Sequence, residues 1–243
     1  MLLFNEWVKV SHRSPVLWVV VLGPLLMVVL GAANFSRYED LFLQDGADPW
    51  SKMMLQITLF YASFFYPVLP GVLSALVCRY EHLGGGWKQQ LALPVRWSQF
   101  YGAKLIIVAA LLALTQGLFY LFSFVAGMAL QLPMAVPWRR FCEGAFFGLL
   151  SALPLAALQL VLSMRWKSFA LPLAMNVMLA FPALMAVQSR WAPFYPWAQP
   201  AVAMLRPLMG EPLAVLPFLT ITLGGWVVFV ALGWFFFCRR DVV

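Results

Sequence analysis

Charge is scarce in this chain of 243 residues. Only 10% of its residues are charged, with nine acids against sixteen bases and a formal charge of +7. A soluble domain carries about a quarter charged residues. So few charges cannot solvate a globule of this size, which excludes a soluble enzyme, a disordered tail and a collagen-like fibre. Cysteine is also rare. Three thiols without a C-x-x-C spacing give neither a disulfide framework nor a zinc site, and they are expected to be reduced and dispensable. Two histidines are too few for most haem or multi-histidine metal centres. A Walker A motif is missing too: Gly84, Gly85 and Gly86 precede Trp87 and Lys88 at the wrong spacing, and Gln89 follows the lysine. The chain therefore lacks an ATPase site of its own. Apolar residues are what it has in abundance, at 63%.

Those residues are gathered into long runs. A helix crossing a hydrocarbon core of roughly 30 Å needs about 20 mostly apolar residues. Six stretches meet that length without an Asp, Glu, Lys, Arg or His: 16–33, 53–78, 105–130, 144–164, 168–189 and 212–238. Backbone groups in lipid must be bonded within the segment, so helices are expected rather than strands. The short alternating segments of a β-barrel are not seen. The sequence predicts an all-α integral membrane protein of one domain, 1–243, with six transmembrane helices. Residues 16–33 are too long for a cleavable signal peptide and lead into acidic residues. Pro67 and Pro70 are expected to kink the second helix, and Pro172 and Pro182 the fifth. The proline-rich piece 189–217 reads as short re-entrant or interfacial segments.

Six spans place both ends on one side of the membrane. With that side cytoplasmic, ten bases and three acids lie inside, against six bases and six acids outside. The positive-inside rule favours this orientation.

Two cytoplasmic pieces stand out. In residues 1–15, Leu3, Phe4, Trp7, Val8 and Val10 share one helical face, opposite Asn5, Glu6, Lys9, His12 and Arg13. This predicts an amphipathic helix in the headgroup plane, with its bases towards anionic lipid. The longest cytoplasmic piece, 79–104, carries the glycine run, a short helical stretch with Trp87 and Leu91 on one face, and Pro94 as its stop. A new helix is expected near Ser98, with Trp97, Tyr101 and Lys104 as anchors at the membrane surface. Such a knob suits a cytoplasmic partner or the headgroup layer. Within the spans, Gly144, Gly148, Ala152 and Ala156 recur every four residues, a ridge that lets another helix come close, with packing in the chain's own bundle favoured.

The loop has the form E-x-x-x-G-x-W-K-Q-x-L-x-L-P-V, carried by Glu81, Gly85, Trp87, Lys88, Gln89, Leu91, Leu93, Pro94 and Val95. Together with six spans, an N-terminal interface helix and the ending Phe237-Cys238-Arg239-Arg240-Asp241, it resembles the type-2 ABC transporter permeases. The short chain and small loops look most like bacterial permeases that export, or confer immunity to, peptides such as lantibiotics. The resemblance implies a non-catalytic subunit in the bacterial inner membrane, without a cofactor of its own, with ATP bound by a separate ATP-binding subunit. Two such subunits would pair with two permeases, the second being another copy or a relative. Glu81, Gly84, Gly85, Gly86, Trp87, Lys88, Leu91 and Pro94 would form the coupling helix in the ATPase cleft. Membrane lipid is a further expected partner, nucleic acid is not, and no substrate-binding residue can be read. A non-transporting docking or sensory protein and an ion-coupled carrier are the competing readings, although the spans hold no acid to carry an ion.

Overall fold

The computed structural model describes residues 2–13, 15–43, 46–82, 97–166 and 168–238. All regular structure among them is helical. Helix α1 (Leu2–Arg13) leads through Pro15 into α2 (Val16–Arg37), followed by the short α3 (Glu39–Phe42). The second apolar stretch forms α4 (Pro49–Phe60), a π-helical turn (Tyr61–Phe65) and α5 (Tyr66–His82). Next come α6 (Trp97–Ala129), α7 (Trp138–Arg165), α8 (Ala170–Ala180), α9 (Ala183–Ala186), α10 (Gln199–Met204) and α11 (Val215–Cys238).

Five helical segments are long and apolar enough to cross a membrane: Val16–Arg37, Pro49–Arg79, Ser98–Ala129, Trp138–Arg165 and Val215–Phe236. The fifth of the six expected spans is different. It is a shorter apolar piece, Ala170–Ala186, broken at Phe181 and Pro182. Of its two prolines only Pro182 interrupts the helix. Pro172 is the third residue of α8, where a missing N–H costs nothing because first-turn donors have no helical partner.

The prolines of the second stretch act one turn upstream. Pro67 and Pro70 cannot donate to the carbonyls of Ser63 and Tyr66, so the 3.6-residue register fails there. The chain responds with a π turn, in which the Tyr66 N–H bonds to the Tyr61 carbonyl. This composite helix is the most buried of the five long segments, and α11 is the least.

Small residues set the packing around it. A Cβ at Gly31 would lie 2.4 Å from the Ile57 Cα, so α2 crosses α4 at backbone distance. The buried stripe of α2 runs Val16, Val20, Pro24, Val28, Gly31 and Phe35, while Trp18, Leu22, Leu26 and Val29 stay exposed on the face left for lipid. The glycine–alanine ridge of α7 serves the chain's own bundle: a Cβ at Gly144 would collide with the Tyr120 hydroxyl, and one at Gly148 with Gln116 and Met204. Ala152 and Ala156 continue that contact fully buried.

At the end away from α1, the fully buried Trp50 donates its indole N–H to the Pro133 carbonyl at 2.6 Å and packs on Phe124 and Phe141. The proline-rich piece, expected as re-entrant or interfacial segments, contains short helices, one of which packs inside the bundle. All six residues of α10 are buried, and α10 packs against α7. Arg206 closes this segment on itself by donating to the carbonyls of Val187 and Ser189. Cys78 and Cys142 are free thiols.

Candidate functional site

Four ionisable groups meet at the α1 end of the bundle. Helix α1 lies against α2 and α6. Glu6 and Lys9 of its polar face turn into the bundle, where Lys9 pairs with carboxylates instead of the lipid headgroups expected for it, and Val10 of the apolar face is buried as well. Glu6 is 2% exposed, whereas Leu3, Phe4 and Trp7 are open. The cause is Lys104, whose side chain is fully buried in the second turn of α6 and requires counter-charge.

Lys104 Nζ lies 2.7 Å from Glu6 Oε2 and 3.0 Å from Glu81 Oε2. It also donates to the Val77 carbonyl at 2.9 Å and sits 5.0 Å from the Phe100 ring centre. Lys9 completes the cluster, reaching Glu6 Oε1 at 2.5 Å and Glu81 Oε1 at 3.1 Å. Two acids and two bases thus alternate in a neutral ring in which each carboxylate meets both ammonium groups. A buried ion is tolerated when paired in this way, and removing one partner is costly. Burial raises the pKa of Glu6, but Lys104 and then Lys9 outweigh it, leaving the carboxyl below its ordinary 4.5.

The ring has a defined place in the chain. Glu81 is in the last turn of α5 and Lys104 in the second of α6, so the two bracket residues 83–96. Glu81 is the one expected coupling residue inside the described region. Gly84, Gly85, Gly86, Trp87, Lys88, Leu91 and Pro94 lie outside the described residues. Tyr101 and Lys104, expected as surface anchors, are buried instead, Tyr101 beside Cys78, Phe100, Leu160 and Met164. Glu6, Lys9 and Lys104 were missed as a unit. A signal existed, since matched charges next to long uncharged runs must either reach water or find one another.

The same combination of features lies within a matched region. Residues 2–183, from α1 to the start of α9, match the family of ABC-2 family transporter proteins. The chain belongs to the ABC-2 transporter family. No curated protein and no solved structure matches it. It is a multi-pass ABC-2 permease, and permeases of this family normally work with an ATP-binding subunit and are generally its non-catalytic membrane partner.

Two further features of the permease lie inside the bundle. Tyr61, in the π turn, donates to Gln116 Oε1 at 2.9 Å and stacks on Phe119 with ring centres 3.7 Å apart. Asn176 of α8 accepts from Gln159 Nε2 at 2.9 Å and from the Trp197 indole at 2.7 Å, and donates to the Val68 carbonyl at 2.8 Å. It thereby ties the broken helix to α5, α7 and the proline-rich segment. Between α2, the π turn and α8 runs an apolar groove of about 370 Å³, lined by Val19, Met27, Phe64, Phe65, Val177 and Phe181.

Proposed function

We propose that this ABC-2 permease is the membrane-spanning half of an ATP-driven exporter, with loop 79–104 seated on a separate ATP-binding subunit. The observation carrying this reading is the buried ring Glu6–Lys104–Glu81–Lys9, which fastens both ends of that loop to one another and to α1. A push on the loop then reaches α5, α6 and α1 together, because separating any of them exposes an unpaired charge in a dry setting.

The complex contains two permeases, copies or relatives, and two ATP-binding subunits in a bacterial inner membrane, with both permease termini cytoplasmic. The substrate is hydrophobic or amphipathic, a peptide being one candidate, in an export or immunity role. The apolar groove beside the π turn suits such a molecule. Ion coupling is disfavoured by the placement of charge: the described long spans hold one acid, Glu143, and it lies near a helix end.

The test is transport in vesicles holding the permease and its ATP-binding subunit. Substrate movement should require ATP and persist when ionophores collapse proton and sodium gradients. Movement by the permease alone down an imposed ion gradient would overturn the proposal.

A further inference from the structure

A second polar site adjoins the ionic ring, separate from it and from the apolar groove. A cavity of about 410 Å³ opens between the end of α5, the end of α7 and the start of α8, lined by Arg79, His82, Ser163, Ser168, Phe169 and Pro172. That size is within the roughly 300–1,000 Å³ of ligand pockets. Four observations give it one chemical preference. Arg79 is exposed and has no carboxylate within ion-pair distance among the described residues. The described acids at this end, Glu6 and Glu81, are both engaged by Lys9 and Lys104. The Ser163 hydroxyl is buried without a hydrogen-bond partner, although the residue lines the cavity. Finally, the eleven-residue α8 starts here without a side-chain cap, leaving first-turn N–H groups and the positive end of its dipole towards the space.

His82 is held in the cavity wall by a 2.8 Å contact between its Nε2 and the Ser163 carbonyl. Phe169 in the cavity wall and Leu171, two residues further on in α8, are exposed apolar residues.

We propose that this cavity binds the phosphate of an anionic phospholipid headgroup. Arg79 supplies the charge, the Ser163 hydroxyl and the α8 N-terminus supply hydrogen-bond donors, and Phe169 and Leu171 receive the acyl chains. Basic pockets between transmembrane helices commonly hold anionic headgroups. A soluble phosphate would meet the same donors but gain nothing from Phe169 and Leu171, so the lipid is the better occupant.

The test uses the whole permease in detergent, titrated separately with short-chain phosphatidylglycerol, short-chain phosphatidylcholine and inorganic phosphate, and read by thermal midpoint and by native mass. Phosphatidylglycerol should raise the midpoint and stay bound as a discrete adduct, with phosphatidylcholine and phosphate at least about tenfold weaker. Arg79→Gln and Ser163→Ala should each weaken phosphatidylglycerol by about fivefold or more. Neither removes a partnered buried group, so both should keep the unliganded midpoint, while Lys52→Gln, remote from the cavity, should bind as wild type does. Equal response to phosphatidylcholine, or wild-type affinity in Arg79→Gln, would overturn the site. Inorganic phosphate binding as tightly as phosphatidylglycerol would overturn the lipid as its occupant.

Discussion

Lys104 and Glu6 are 98 residues apart in sequence, yet the lysine ammonium donates to the glutamate at 2.7 Å with its own side chain fully out of solvent. The contact ties α1 to the bundle. It also makes the charge on Lys104 a stability element. Lys104→Met should lower stability by about 3–5 kcal/mol, the usual cost of leaving buried carboxylates without their cation. Combining it with Glu81→Gln should cost less than the two single changes added together, by about 1–3 kcal/mol. Denaturation midpoints of the four purified proteins check this; additive losses would mean that the groups do not interact.

The pH dependence of α1 docking follows from Glu6. Its carboxyl is held below 4.5 in the folded chain, so its contribution is complete above that value and disappears as pH falls through the lower folded one. Amide exchange over residues 2–13 should therefore be steady, once corrected for intrinsic rates, from about pH 5 to about pH 8, and protection should fail only below roughly pH 4.5. Loss of protection near neutrality would show that other groups control the docking.

Close approach of α2 and α4 depends on one missing side chain. At Gly31 an added Cβ meets the Ile57 backbone, which cannot move aside cheaply, and Gly31→Ala should cost about 1–3 kcal/mol. Gly224 in α11 has nothing within 4 Å of its added Cβ. Gly224→Ala should be neutral or stabilising by up to about 1 kcal/mol, since alanine favours the helix. Thermal midpoints of the two variants separate packing from propensity.

Much of the bundle was legible in the sequence, because the physics that places helices in lipid acts on runs of residues. Five of the six apolar stretches are single long segments, and the glycine–alanine ridge of α7 packs within the chain as its four-residue spacing indicated. Two things were hidden. Proline position relative to a helix start was one: Pro172 is harmless in the first turn of α8, while Pro182 breaks the segment. Partner choice among distant charges was the other. Lys9 and Lys104 looked like lipid anchors because periodicity gives a residue its face but not what that face meets. For the coupling helix, only Glu81 falls within the described residues.

Asn176 offers a test of how the broken segment is held. Asn176→Leu keeps similar bulk but removes the contact to the Val68 carbonyl and leaves the Gln159 amide and the Trp197 indole without their partner. At about 1–3 kcal/mol for each orphaned buried group, a total loss of at least about 2 kcal/mol is expected. Adding Gln159→Leu removes one orphan and should recover part of it. A midpoint unchanged in Asn176→Leu would mean that water or backbone shifts satisfy those groups.

The central claim, an ATP-binding subunit seated on loop 79–104, is tested most directly by co-purification. Tagged permease is co-expressed with its candidate ABC ATP-binding subunit, and the retained subunit is measured per permease for wild type and for Trp87→Ala with Leu91→Ala. Aromatic and aliphatic anchors carry much of such an interface. Wild type should retain the subunit in equimolar amount, and the double variant should lose about tenfold or more while its membrane insertion and thermal midpoint are unchanged. Wild-type retention by the double variant, or none by the wild type, would contradict the claim.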